Sequence, residues 1–437
     1  MKLRTLACLA SASAILAIAA CGSDDNGPPT PGPGQDASFD SFVSSSGSSG
    51  TSGGVDSSSG NDGSSSGTID SGQDAGVDAK EAGYTGPAHF LYAMGTLAAG
   101  SAVGVIGYTV DPTNGDLAPF DTDGVTAGFQ ASIAAGIGPF VGAATPAGNN
   151  LYAASTDGKT IYGFSVDPKT GALTPLATTS TGAAGGSPYF MRSDAAGKHL
   201  YVSKRAGSTI ALFDIGAGGA LTPSATTPEF STMTGPRGIA LSTAGDLLFV
   251  ANELSESVSA FKVDATTGVL SARKDSSAPG TPIAMAHHTS KNVLYVVASA
   301  AVTPDQAITA FSYDATGALT QVGTTKAAGR TPLGAAVDLT GTYLYVSSAG
   351  DPAITSYPLD PATGALGTAV TTSLQTAQTG GHGITVDPSG KYLLLAGEAN
   401  LVTVLSIGAA GAVTPLPNTI AGTLGSYSFY DPMIIAH

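Results

Sequence analysis

The chain has 437 residues, a formal net charge of −15, only 11% charged side chains, 59 glycines and no tryptophan. This balance argues against a nucleic-acid partner, which needs a basic stripe, and suits short strands and tight turns better than long solvated helices. Length alone allows two or three average domains or one large all-β unit.

Residues 1–20 carry Lys2 and Arg4, an apolar stretch from Leu6 to Ile18, and a small-residue ending. They predict an export signal, too short to cross a bilayer. The ending Ile-Ala-Ala-Cys resembles a bacterial lipobox, which implies lipid attachment at the Cys21 sulfur, cleavage before it and acylation of the new amino terminus. Several acyl chains anchor firmly where one binds reversibly. Gly22 after the cysteine favours the outer membrane, and plain secretion with a free cysteine is the alternative. Cys8 leaves with the signal, so no disulfide is expected.

Residues 21–86 comprise that cysteine and a Ser/Gly/Asp-rich linker. Such a stretch cannot bury enough apolar surface to offset its ordering entropy, and is expected to be a disordered tether. As a flexible coil it spans roughly 40–50 Å. It carries ten acidic residues against Lys80, most of the net charge of the chain.

From residue 87 to 437 one unit recurs. Its clearest mark is an Asp, a glycine-containing turn and an apolar residue: DPTNGDL ending at 117, DPKTGAL at 173, DIGAGGAL at 221, DATTGVL at 270, DATGAL at 319, DPATGAL at 366 and a degenerate SIGAAGAV at 413. A repeat this long and regular means a propeller or a solenoid. Each unit runs from a Pro-led strand such as PLGAAV through LYVSS and ITSYPL to the Asp-Gly turn and a weaker strand. The runs lack a helical period. The predicted fold is an all-β, seven-bladed propeller of four-stranded antiparallel blades. The domain opens at HFLYAMG, a second strand without a first, and ends at DPMIIAH, a first strand without a second. The carboxy-terminal strand is therefore expected to pair in blade 1 and close the ring.

The Pro-led strand is expected to line the central channel. Aligned after the Pro stand Phe140, Tyr189, Arg237, Ile283, Leu333, His382 and Met433; aligned at the end of the next strand, on the same face, stand Thr96, Thr156, Arg205, Glu253, Ser299, Ala349 and Glu398. Charge gathers in blade 4 (Arg237, Glu253) and blade 7 (His382, Glu398), with Arg205 in blade 3. These residue types suit hydrolysis of a lactone or small ester. Glu253, Glu398 or His382 can activate water, while Arg237 or Arg205 can hold an oxyanion or carboxylate. Tyr189 and Phe140 are candidate substrate-binding neighbours. Structural ion pairs at a channel rim are the competing reading. His287, His288, His199 and His89 are read as turn or pre-strand residues. No cofactor or metal is expected.

The stretch GPRGIALSTAGDLLFVANELSESVSAFKVD, residues 235–264, resembles the seven-bladed β-propeller lactonases, which include 6-phosphogluconolactonase-like and carboxymuconate-cyclising enzymes. The resemblance covers about residues 87–437 and implies that Arg237 and Glu253 are two of the family's four active-site residues. The blade-3 position where the family has His holds Tyr189, and the blade-5 Asn-Arg position holds Ala298 and Ser299. A phosphorylated sugar lactone is cytosolic, so for an exported chain an unphosphorylated lactone is the expected substrate. A non-catalytic surface propeller that binds a protein or glycan is the alternative.

Overall fold

The computed structural model describes residues 89–97, 103–119, 129–133, 140–155, 159–182, 188–278, 280–299, 306–374, 383–396, 401–417, 420–421, 424–425 and 433–436. The expected signal, Cys21 and the linker lie outside them. The described residues form seven antiparallel sheets, the seven blades, and contain no α-helix. Blade 4 shows the plan: Pro236–Leu241, Leu247–Asn252, Ser257–Val263 and Leu270–Ser277 pair in chain order from channel to rim.

In four blades proline interrupts the outermost strand. In blades 1, 2, 3 and 7 it stops at Pro119, Pro175, Pro223 and Pro415, and a second short piece pairs further along the same neighbour. Proline has no N–H for the ladder and interrupts it. Leu270–Ser277 and Leu319–Ala327, which contain no proline, run unbroken.

The core lies between blades rather than at the centre. One apolar cluster joins Leu394 and Val404 of blade 7 to Phe90 and Val105 of blade 1 and to Leu151 and Phe164 of blade 2. Similar clusters fill the remaining joints round the ring. Second strands such as Leu247–Asn252 are buried at every residue, because a neighbouring blade covers each face. Their sequences therefore read as unbroken apolar runs.

The Leu-Tyr pair in these runs has a further task. The hydroxyls of Tyr152, Tyr201 and Tyr295 donate to the carbonyls of Gly219, Gly268 and Gly364, in the Gly turn of the next blade, at 2.9, 2.9 and 2.8 Å. Tyr92 does the same to Gly171. At Gly171, φ is +72° and a Cβ would lie 2.7 Å from Phe90, so both the turn and the close approach require glycine. Phe249 and Leu394 occupy the tyrosine position without a hydroxyl, and the buried Tyr345 hydroxyl has no partner among the described residues. Tyr201→Phe should lower stability by about 1–3 kcal/mol by orphaning a buried carbonyl, while Tyr345→Phe should be neutral or stabilising. Equal changes in denaturant midpoint for the two variants would remove the tie from the fold's energetics.

The Asp-Gly turns follow their sequence. Asp167 Oδ1 accepts the N–H groups of Lys169 and Thr170 at 2.8 and 2.9 Å, and Asp264, Asp314 and Asp360 repeat the pattern. In blade 3, by contrast, Asp214 stays within the strand Thr209–Ile215, and the turn is a short 3-10 segment, Ala217–Gly219. Hydrogen bonds to the charged form hold the four turn carboxyls below their ordinary value, with Asp314 near 2, chiefly through Thr316. A depressed carboxyl contributes stability above its unfolded pKa and loses it as pH falls through the folded one. Stability should therefore decline between about pH 4 and pH 2, and a flat melting temperature across that window would contradict the turn assignment.

The ring closes as expected. Met433–Ala436 pairs antiparallel with blade 1's His89–Leu97, matching Phe90 with Ile435 and Tyr92 with Met433. A buried pair, His89 Nδ1 to Asp387 Oδ2 at 2.8 Å, ties that strand to blade 7. His89, expected as a plain pre-strand residue, thus pins two blades together, whereas His199 bonds within its own blade to Asp194 at 2.7 Å.

Candidate functional site

The site grows out of a backbone irregularity. In blade 4, Pro236 pairs with Asn252 and Ile239 with Val250, so Arg237 and Gly238 form a bulge. Blade 3 has the same shift between Pro188 and Phe190, which carries Tyr189. A bulge re-aims side chains; the same shift recurs in blades 5 and 6, and in blade 4 it sets Gly238 close against blade 5. Gly238 permits this: a Cβ there would meet the Ile283 carbonyl of blade 5 at 2.9 Å. Ser203 of blade 3 donates its hydroxyl to the Arg237 carbonyl at 2.7 Å.

Glu253 begins the 3-10 turn Glu253–Ser255, and its N–H donates to the Gly235 carbonyl at 2.8 Å. Behind it Asn252 is fully buried. Its amide oxygen accepts from Thr232 at 2.8 Å, its amide nitrogen donates to Ser259 at 2.9 Å, and Ser259 donates to Asp275 at 2.6 Å. This network fixes the strand end from which Glu253 departs.

The carboxylate then bridges two cations. Arg205 Nε lies 2.6 Å from one oxygen and Arg237 Nη1 3.2 Å from the other, with side-chain exposures of 36%, 14% and 17% for Arg205, Arg237 and Glu253. The guanidinium carbons stand 5.6 and 4.9 Å from the centroid of the Tyr189 ring, within cation–π range. The hydrogen bond that Arg205 donates to Glu253 keeps its guanidinium above the ordinary pKa. Each guanidinium commits one nitrogen to Glu253 in these contacts, and the other donors of its fork can meet a substrate oxygen.

Four expected residues, Arg205, Tyr189, Arg237 and Glu253, therefore converge. The closer partner of Glu253 is Arg205 of blade 3 rather than Arg237 of its own blade, a cross-blade contact that alignment by repeat position does not reveal. His382 and Glu398 lie outside the described residues, as does the side chain of Phe140. Ser203 and Asn252 were not anticipated: each sits in an apolar strand and resembles an ordinary core polar residue. His287 ends its strand at the other face, bonded to Tyr313 and, at 3.1 Å, to Thr243, and burial pushes it down to about 4. Among the described residues no cluster of His, Cys, Asp and Glu is arranged to hold a metal.

The family model described as "Lactonase, 7-bladed beta-propeller" matches residues 104–287 and 284–425. The chain belongs to this lactonase family. A 6-phosphogluconolactonase-like protein from Bacteroides uniformis is similar in structure, with a TM-score of 0.66 and 19% identity, covering 80% of this chain and 100% of that one. A related protein from Bacteroides fragilis gives 0.65 and 19%, covering 80% and 98%. The Pseudomonas aeruginosa periplasmic gluconolactonase gives 0.64 and 18%, covering 80% and 99%. Comparison with curated proteins gives no match. Within this lactonase propeller the Arg205–Glu253–Arg237 cluster is the densest group of charge beside the channel among the described residues.

Proposed function

We propose that this propeller is an exported, lipid-tethered lactonase acting on an unphosphorylated lactone or small ester. One observation carries the reading: a carboxylate held between two guanidiniums over an aromatic face at the channel mouth. Water deprotonated by Glu253 would attack the lactone carbonyl carbon, and the Arg205 and Arg237 forks would stabilise the oxyanion that forms. Collapse of the tetrahedral intermediate breaks the ring C–O bond. The alkoxide takes the proton back, and the product is a hydroxycarboxylate. Tyr189 would face the sugar or acyl body, with His382, Glu398 and Phe140 as the partners from blades 7 and 2.

The address rests on the sequence: the signal at 1–20, the lipobox cysteine Cys21 and the linker to residue 86. Lipid at Cys21 and a tether of roughly 40–50 Å would hold the propeller clear of an envelope membrane, with the outer membrane the favoured one. The likeness to a periplasmic gluconolactonase supports export and an unphosphorylated substrate.

The competing reading, a non-catalytic propeller that binds a surface protein or glycan, is favoured by the engagement of both Glu253 oxygens. Hydrolysis of a panel of aldonolactones and simple γ- and δ-lactones by the full chain, with Glu253→Gln beside it, separates the two. Saturable hydrolysis that collapses in the variant supports the lactonase; no turnover of any member favours the scaffold.

A further inference from the structure

The opposite end of the axial channel carries a second anomaly. Four residues after the leading position of the innermost strand, the sequence has Ala436, Ala143, Arg192, Ala240, Ala286, Ala336 and Thr385, and of these Arg192, Ala240, Ala286, Ala336 and Thr385 line one cavity. A ring of alanines is broken by one cation and one hydroxyl. We propose that this end of the channel binds a small organic carboxylate, with Arg192 as its anion receptor.

The space is present. A cavity of about 400 Å³ runs along the innermost strands, bounded by Phe190 and Arg192, by Ala284 and Ala286, and by Gly334 and Gly383. That volume falls within the range of small-molecule sites, about 300–1,000 Å³. Arg205, Tyr189, Arg237 and Glu253 are not among the described lining residues, so the cavity is distinct from the cluster at the other mouth.

The charge is present and uncommitted. Arg192 is exposed, stands 5.5 Å over the Phe190 ring two residues before it, and forms no ion pair among the described residues. No carboxylate lines the described cavity. The nearest acidic residue in sequence, Asp194, is occupied by the His199 ring and by the N–H groups of Lys198 and His199. His287, also in the lining, is neutral at ordinary pH and adds no competing cation. A guanidinium resting on an aromatic face presents its fork in a fixed plane, the geometry that takes a carboxylate in two parallel hydrogen bonds. The alanines and glycines of the wall leave room beside Arg192 for a short apolar body, which Leu241, Met285 and Ile384 can contact.

The test is calorimetric titration of the full chain with butyrate and, in parallel, with the isosteric neutral butyramide. Saturable butyrate binding is expected, with butyramide at least about tenfold weaker, since a charged hydrogen bond is lost. Arg192→Gln should weaken butyrate by about tenfold or more. Arg192→Lys should restore part of it, and Arg237→Gln should leave it unchanged. Ala336→Leu, which fills the channel without touching the charge, should also abolish binding. Absence of saturable binding, equal affinity in Arg192→Gln, or loss in Arg237→Gln instead would each overturn the assignment. None of these outcomes depends on lactone turnover.

Discussion

Deleting Met433–Ala436 abolishes the cooperative unfolding transition of the propeller. That strand covers His89–Tyr92, while the two-residue piece Leu424–Gly425 pairs only with Thr96 and Leu97, so its removal bares the part of His89–Leu97 where Phe90, Leu91 and Tyr92 are at most 1% exposed. Each such side chain stabilises by about 1.5–3 kcal/mol when fully buried, so partial exposure of three costs on the order of 5 kcal/mol, comparable with the stability of many domains. The open edge also invites pairing with other chains. Calorimetry should show a broad, low-enthalpy transition, and size-exclusion chromatography should show aggregation. A truncated chain that melts sharply at the temperature of the full chain would mean that the ring does not depend on this strand.

Glu253→Gln should reduce lactone kcat/KM by about 100-fold or more, because the amide cannot take the proton from water. Glutamine keeps the size of the side chain and one hydrogen-bond acceptor, so the fold persists. Glu253→Ala should cost, in addition, about 1–2 kcal/mol of stability, since Arg205 and Arg237 would face each other without the intervening anion; partial exposure keeps this below the cost at a fully buried site. The two readings then part cleanly. A base predicts a large rate effect for glutamine with a small shift in melting temperature. A purely structural bridge predicts the reverse, and finding the reverse would end Glu253's candidacy as the base.

The fold was legible because the repeat carries its own punctuation. Asp and Gly at the hairpin, proline at the head of the innermost strand and seven turn marks at similar intervals left one architecture, and the orphan half-blades at the two ends required the closure seen at Met433–Ala436. The site was legible only through charge in a chain that has little of it. Arg237 and Glu253 stood out for that reason, but repeat alignment places residues along a strand and not across the gap between blades. It therefore paired Glu253 with Arg237 and missed the shorter contact to Arg205. The bulges at Arg237 and Tyr189 were invisible because the extra residue leaves the apolar pattern intact. The interblade tyrosine bonds escaped for a similar reason. A tyrosine in a fully buried strand looks like packing until its hydroxyl is seen to reach the next turn.

The closure also imposes an order on synthesis. His89–Leu97 is made first, and its partner Met433–Ala436 almost last. Blades 2 to 7 can each complete from contiguous sequence as the chain emerges, whereas blade 1 must wait for Met433–Ala436. That encounter of the two most distant described strands completes blade 1, whose joint with blade 7 has Leu394 in place of a tyrosine and so no hydroxyl to tie it. Long-range pairing of this kind slows maturation and leaves a nascent chain with an unsheltered edge. Until that encounter the inner edge of His89–Leu97 lacks its main partner and stays open to pairing with other chains.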